Sequence, residues 1–189
     1  MRIALVLLPV LALIPRVAQA GELDLNFGLQ ATHTAWDDDH GGGPTASVSW
    51  FFTPAFAVNF TGKEHYATVD ERYMTYLSVN GVARTMLGDS LRVSAMLGVV
   101  HQHEETQDIV DAMPLESALG VADGIRHRMA SRAGAQLAIP FSQLAQGDMY
   151  IALDLDTTVF ADKDRGPRWM MSAGLSLGVT HDFGQRGTK

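Results

Sequence analysis

The chain has 189 residues, 47% of them hydrophobic, a formal charge of −7 and no cysteine. That is a one-domain length with enough apolar content to fold, which excludes general disorder. The acid excess disfavours nucleic acid as a partner, and the missing cysteine excludes both a disulfide framework and a cysteine-borne lipid anchor.

The first twenty residues combine Arg2, an apolar run from Ile3 to Ile14, and Ala18 and Ala20 flanking Gln19. This predicts a secretory signal peptide over 1–20, cut after Ala20. The run is too short for a membrane-spanning helix, and Pro9 interrupts it. Removing Arg2 and Arg16 leaves 12 basic residues against 21 acidic ones, a net charge of about −9. After residue 20 no apolar stretch is long enough for a transmembrane helix.

What recurs instead is strand alternation. Leu23, Leu25, Phe27, Leu29 and Ala31 take one side of the first segment, and Asp24, Asn26, Gly28, Gln30 and Thr32 take the other. The same period continues through Ala46–Phe52, Phe56–Lys63, Tyr76–Asn80, Leu91–Val99, Met129–Ile139, Ile151–Val159 and Trp169–Phe183, giving eight predicted strands. The gaps alternate in kind. Thr53-Pro54, the stretch 86–90 and the stretch 140–148 are turn-like; 37–44, a gap around 68–71, 104–126 and 162–167 are more polar, the third of them by far the longest. An up-and-down barrel starting on the periplasmic side places turns inside and long loops outside in this order.

Alternation alone does not say whether the apolar side meets a protein core or lipid. Three features favour lipid. Five of the eight segments run to 9–15 residues, longer than the ~5–6 usual in soluble proteins and enough to cross a bilayer at a tilt. The polar side mixes charges (Asp24, Lys63, Arg92, Arg128, Arg132, Asp154, Asp156) with small residues (Gly28, Ser47, Ser49, Gly98, Gly134, Gly174, Ser176, Gly178), as a narrow lumen requires. Trp36, Trp50, Tyr66, Tyr73 and Trp169 stand near strand ends, where interfacial girdles form. Across the turn between the sixth and seventh strands, Arg132 is expected opposite Asp156, with Arg128 and Asp154 in diagonal reach.

Strand count, alternation, loop asymmetry and the closing stretch 173–183, AGLSLGVTHDF, resemble the small eight-stranded outer-membrane barrels of Gram-negative bacteria, of the OmpA and OmpX type. The resemblance implies an all-β, antiparallel up-and-down transmembrane barrel over 21–183, with a polar tail over 184–189. It further implies residence in the cell outer membrane, insertion through a C-terminal signal ending at Phe183 and read by the barrel-insertion machinery, and contact with outer-membrane lipids and lipopolysaccharide. A monomer with a structural or surface-interaction role is expected.

Six of the seven histidines (His33, His40, His65, His101, His103 and His127) fall at predicted outer strand ends or loops; His181 is at the other end. The same rim holds Asp37, Asp38, Asp39, Glu64, Asp70, Glu71, Glu104, Glu105, Asp108, Asp111, Glu116, Asp123, Asp162 and Asp164. His101 and His103 share a strand face about 6.6 Å apart, close enough to share a metal. No ligand spacing has the specificity of C-x-x-C or H-E-x-x-H, so the rim reads first as a solvated, acidic mouth, with no metal, cofactor or catalytic site assigned. The 37–44 stretch lacks the spaced acids of a calcium loop. A lipid A hydrolase is the weakest alternative. The nearest His and Ser on one strand face, His127 and Ser131, are four residues and about 13 Å apart, too far for direct proton transfer. Eight strands leave an interior that side chains fill, which disfavours a general porin and leaves a small-solute or cation-selective barrel as the runner-up. The apolar content of 104–126 suits a short helix or lid over the mouth, or a partner-binding loop.

Overall fold

The computed structural model describes residues 21–35, 39–68, 71–162 and 168–183. The expected signal peptide over 1–20 and tail over 184–189 lie outside the described residues, as does Trp36. Eight strands run in chain order: β1 (Glu22–Thr34), β2 (His40–Phe51), β3 (Phe56–Ala67), β4 (Arg72–Leu87), β5 (Leu91–Thr106), β6 (Arg126–Leu144), β7 (Gly147–Phe160) and β8 (Trp169–Asp182). Each pairs antiparallel with the next, and β8 returns to β1, closing the barrel. Two one-and-a-half-turn helices, α1 (Gln107–Ala112) and α2 (Pro114–Leu119), occupy the connection between β5 and β6.

The apolar side of every strand faces outward. Leu29, Leu97 and Leu175 are 69%, 69% and 63% exposed, whereas inward Asn26, Asn80 and Ser176 are 4%, 1% and 3% exposed. A soluble protein does not present so continuous an apolar surface, because it would associate through it. In lipid the same surface carries no penalty. On β1 the outward apolar run from Leu23 to Ala31 measures roughly 27 Å along the strand, or roughly 20 Å across a barrel tilted by ~40°, close to the height of a membrane belt. Aromatic rings mark its edges: Trp50 stacks on Phe183 at 5.7 Å at the turn end, while Tyr66 meets Tyr73 at 5.0 Å and Trp169 meets His33 at 5.6 Å at the loop end.

Two connections differ from the sequence expectation. His40 to Pro44, expected in a loop, begin β2 and pair with His33 to Leu29. Glycine is depleted in strands, which hides this one. Here its lack of a side chain is what lets the strands approach, because a Cβ on Gly41 or Gly43 would strike the carbonyl of Tyr66 or Glu64 on β3. The stretch 140–148 is mostly strand: β6 continues to Leu144, β7 begins at Gly147, and the ladder bulges between Pro140 and Ser142, where proline offers no N–H.

Gly178 on β8 is a second close approach. It stands opposite Tyr150 on β7, whose buried ring lies over it, so an added Cβ would collide with the ring. Gly178→Val is expected to lower stability by about 1–3 kcal/mol through overpacking, read as a lower urea midpoint for the barrel in detergent. An unchanged midpoint would mean that Tyr150 has room to turn away.

The filled interior and the histidine rim

Inward side chains on alternating positions meet across the lumen in three tiers. At the turn end, Tyr150 donates its hydroxyl to Asp24, whose carboxylate is 3.4 Å from Arg92; the Arg92 guanidinium lies 4.7 Å above the Tyr150 ring. The Asn26 amide donates to Ser176 at 2.8 Å. Arg84 pairs with Glu22 and covers the Phe51 ring at 3.6 Å.

The middle tier is built on two carboxylates. Asp156 accepts from Lys63 and, at 3.3 Å, from Arg132, which also donates to Ser78 at 3.2 Å. Asp154 accepts from Gln136 at 2.8 Å and from Ser176. The Asn80 amide donates to Asn59 at 2.9 Å. At the loop end Glu104 lies between Arg72 and Arg126, Tyr76 donates to the Met170 sulfur at 2.7 Å, and Arg128 covers the Phe160 ring at 4.0 Å.

Burying such ions is costly, and mutual pairing offsets that cost without making the pair a strong source of net stability. What the network does achieve is fullness. The cavity lined by Asp24, Asn26, Lys63, Arg132 and Asp156 is about 40 Å³, room for a few water molecules.

The expected Arg132–Asp156 pair forms, but diagonally. The register sets Thr158 opposite Arg132 and Gly134 opposite Asp156, and the long arginine reaches across. Arg128 is drawn elsewhere: it covers Phe160 and donates to the Asp162 carbonyl at 3.1 Å. The tight turn and bulge at the end of β6 shift the pairing from the one that a wide 140–148 turn would give. Lys63, read only as a polar-side residue, turns out to be the second cation on Asp156.

Among the described residues the rim is not one acidic mouth. Alternation turns His65 into the lumen, where it is fully buried, while the other loop-end histidines lie on the outer wall. They form two groups. His33 and His40, cross-strand neighbours on β1 and β2, stack at 4.8 Å with their Nδ1 atoms 3.3 Å apart. On the other side, His103 of β5 faces His127 of β6 in register, and His101 joins them. Ring centroids there are 4.7 Å apart for His101 and His103, 4.7 Å for His103 and His127, and 5.4 Å for His101 and His127. One nitrogen from each ring lies within 4.8 Å of the others. Spacing alone sets His101 and His103 together; His127 joins only through the β5–β6 register.

The acids divide too. Glu104 is buried in its arginine pairs, Glu105 accepts from Ser117 of α2 at 2.6 Å, and Asp39 is buried. Asp108, Asp111, Glu116 and Asp123 are exposed, all on the β5–β6 connection; Asp37, Asp38, Asp70 and Asp164 lie outside the described residues. Ser131 is an exposed wall residue in register between Val99 and Val159, and His127 is engaged with the other histidines rather than with it.

No protein-family model matches the chain, and no curated protein matches its sequence. Solved structures do. The attachment invasion locus protein Ail of Yersinia pestis superposes with a TM-score of 0.52 at 13% identity, covering 86% of this chain and 98% of that one. A second crystal of Ail, in complex with the heparin analogue sucrose octasulfate, gives 0.53 at 15% identity over the same shares. Neisserial surface protein A gives 0.55 at 10% identity, covering 85% of this chain and 96% of that one. With its closed ring of eight antiparallel strands, apolar wall and polar filling, the chain has the fold of the small outer-membrane barrel proteins.

Proposed function

We propose that this is a monomeric, non-catalytic barrel of the bacterial outer membrane, exported by residues 1–20, whose lumen is a fixed plug and whose outer end meets the surroundings of the cell. The observation that carries this reading is the ion-paired interior, whose cavity beside Asp156 is about 40 Å³, wrapped in an apolar belt. A filled lumen supports a structural or surface-interaction role over transport.

Its neighbours in the membrane are outer-leaflet lipids and lipopolysaccharide, and the aromatic end of the closing strand, Phe183, suits recognition by the barrel-insertion machinery. The Phe183 backbone N–H is tied to the Gly21 carbonyl at 2.9 Å, so the strand end that would be recognised also closes the barrel seam. The exposed acids Asp108, Asp111, Glu116 and Asp123 disfavour a sulfated polyanion of the kind bound in the second Ail crystal, and favour a cationic or metal-bridged partner.

In a planar bilayer the purified protein is expected to give no discrete single-channel steps. Regular steps would contradict the plugged lumen and restore the cation-selective reading. An epitope placed in 107–125 is expected to be accessible on intact cells; accessibility only after the outer membrane is opened would reverse the orientation.

A further inference from the structure

We propose that His101, His103 and His127 form a site for a divalent transition-metal ion, of the zinc class, on the outer wall at the loop end of β5 and β6. The site is cross-strand. His101 and His103 occupy successive outward positions of β5, and His127 is the register partner of His103 on β6. Ligands on paired strands are held by the ladder itself, which spares the ion the cost of ordering a loop.

The spacing fits the chemistry. His127 Nδ1 lies 3.3 Å from His101 Nε2. Two nitrogens bound tetrahedrally at ~2.0–2.1 Å from zinc stand roughly 3.3–3.4 Å apart. The other nitrogen of His101, Nδ1, rests 3.3 Å from the Met129 sulfur, so Nε2 is the atom turned toward the cluster. The third ring needs only a small rotation, since all three ligand atoms are already within 4.8 Å of one another. Three imidazoles with a fourth position left to water or an outside ligand is the donor set of an open zinc site. It selects zinc, copper or nickel over calcium and magnesium, which require oxygen.

Its position also fits. On β4, β5 and β6 the outward apolar run ends at Leu77, Val99 and Met129, which leaves the three histidines at its upper edge, with His127 exposed. The same edge is marked by tyrosines at Tyr66 and Tyr73, and by a two-histidine group with Trp169 at His33 and His40. Only the β5–β6 edge carries three converging imidazoles among the described residues. The connection between β5 and β6 reaches this point as well. Gly120, which ends α2 at φ 70°, packs against the His103 ring so closely that a side chain there would collide with it. A bound ion therefore fixes a ring that helps to seat the 107–125 segment.

The test uses the full mature barrel in detergent micelles, carrying no histidine tag, titrated with zinc chloride by calorimetry, with Co²⁺ as a spectroscopic probe. A saturable zinc event is expected, and bound Co²⁺ is expected to show the intense visible absorption of a four-coordinate ion. Each of His101→Gln, His103→Gln and His127→Gln should weaken zinc by about tenfold or more, since losing a ligand costs at least what losing a group behind a ligand costs. His33→Gln with His40→Gln should leave that event unchanged. All three positions are on the outer wall, so each variant should keep the heat-sensitive gel mobility of the folded barrel; the unmutated protein alone decides whether zinc binds. No saturable zinc event, a six-coordinate Co²⁺ spectrum, binding that survives His127→Gln, or binding lost with His33 and His40 instead would each overturn the proposal.

Discussion

Asp156→Ala is expected to cost about 3–5 kcal/mol of stability, the range for removing one member of a buried ion pair and leaving its partner charge uncompensated. Two cations depend on this carboxylate. Lys63 reaches it from β3 and Arg132 from β6, and all three side chains are almost wholly buried. Without it an ammonium and a guanidinium face the same cavity of about 40 Å³. The check is equilibrium unfolding by urea in detergent or lipid vesicles, followed by tryptophan fluorescence. A triple replacement, Lys63→Met with Arg132→Met and Asp156→Leu, removes the charges together and is expected to recover much of the loss, because well-packed apolar substitutes for a buried ion cluster are often neutral. If Asp156→Ala unfolds at the midpoint of the unmutated protein, lumen water is hydrating those cations and the interior is not the plug described above.

Leu175→Arg is the matching experiment on the outside. Leu175 lies near the middle of β8, 63% exposed, with Leu29 and Leu153 as its cross-strand neighbours. Facing lipid near the midplane, an arginine there is expected to cost about 2–4 kcal/mol. Facing water, an exposed leucine changed to arginine would fall within about 0.5 kcal/mol of neutral. The same unfolding assay, run in lipid vesicles, separates the two. A change too small to measure would place water, not lipid, outside β8.

The strands were readable because a two-residue period shows directly which side of each strand is apolar. Leu23 to Thr32 alternate without a break, and the structure extends that strand only to Glu22 and Thr34. The reading fails where backbone geometry overrides composition. Gly41 to Gly43 look like loop, yet they are strand because neighbouring carbonyls come too close for any side chain. Contacts inside the lumen were less legible still. Lys63 and Asp156 are 93 positions apart on strands that do not pair, and their meeting depends on how far the strands are sheared when the sheet closes, which alternation does not encode. Register explains the rim in the same way. His101 and His103 share a face by spacing alone, whereas His127 joins them only once β5 and β6 are aligned residue by residue. The helices over 107–119 are too short for their apolar residues to show a helical period, so the sequence leaves a short helix or lid and a partner-binding loop equally open there.

The plugged lumen and the outer histidine site both depend on the apolar wall meeting a membrane. The most direct measurement fractionates cells making the protein and runs the outer-membrane fraction on a detergent gel with and without boiling. The protein is expected in that fraction, with unboiled and boiled samples at different mobilities because the closed barrel resists unfolding until heated. A soluble periplasmic protein with one mobility under both conditions would mean that the apolar wall meets no membrane.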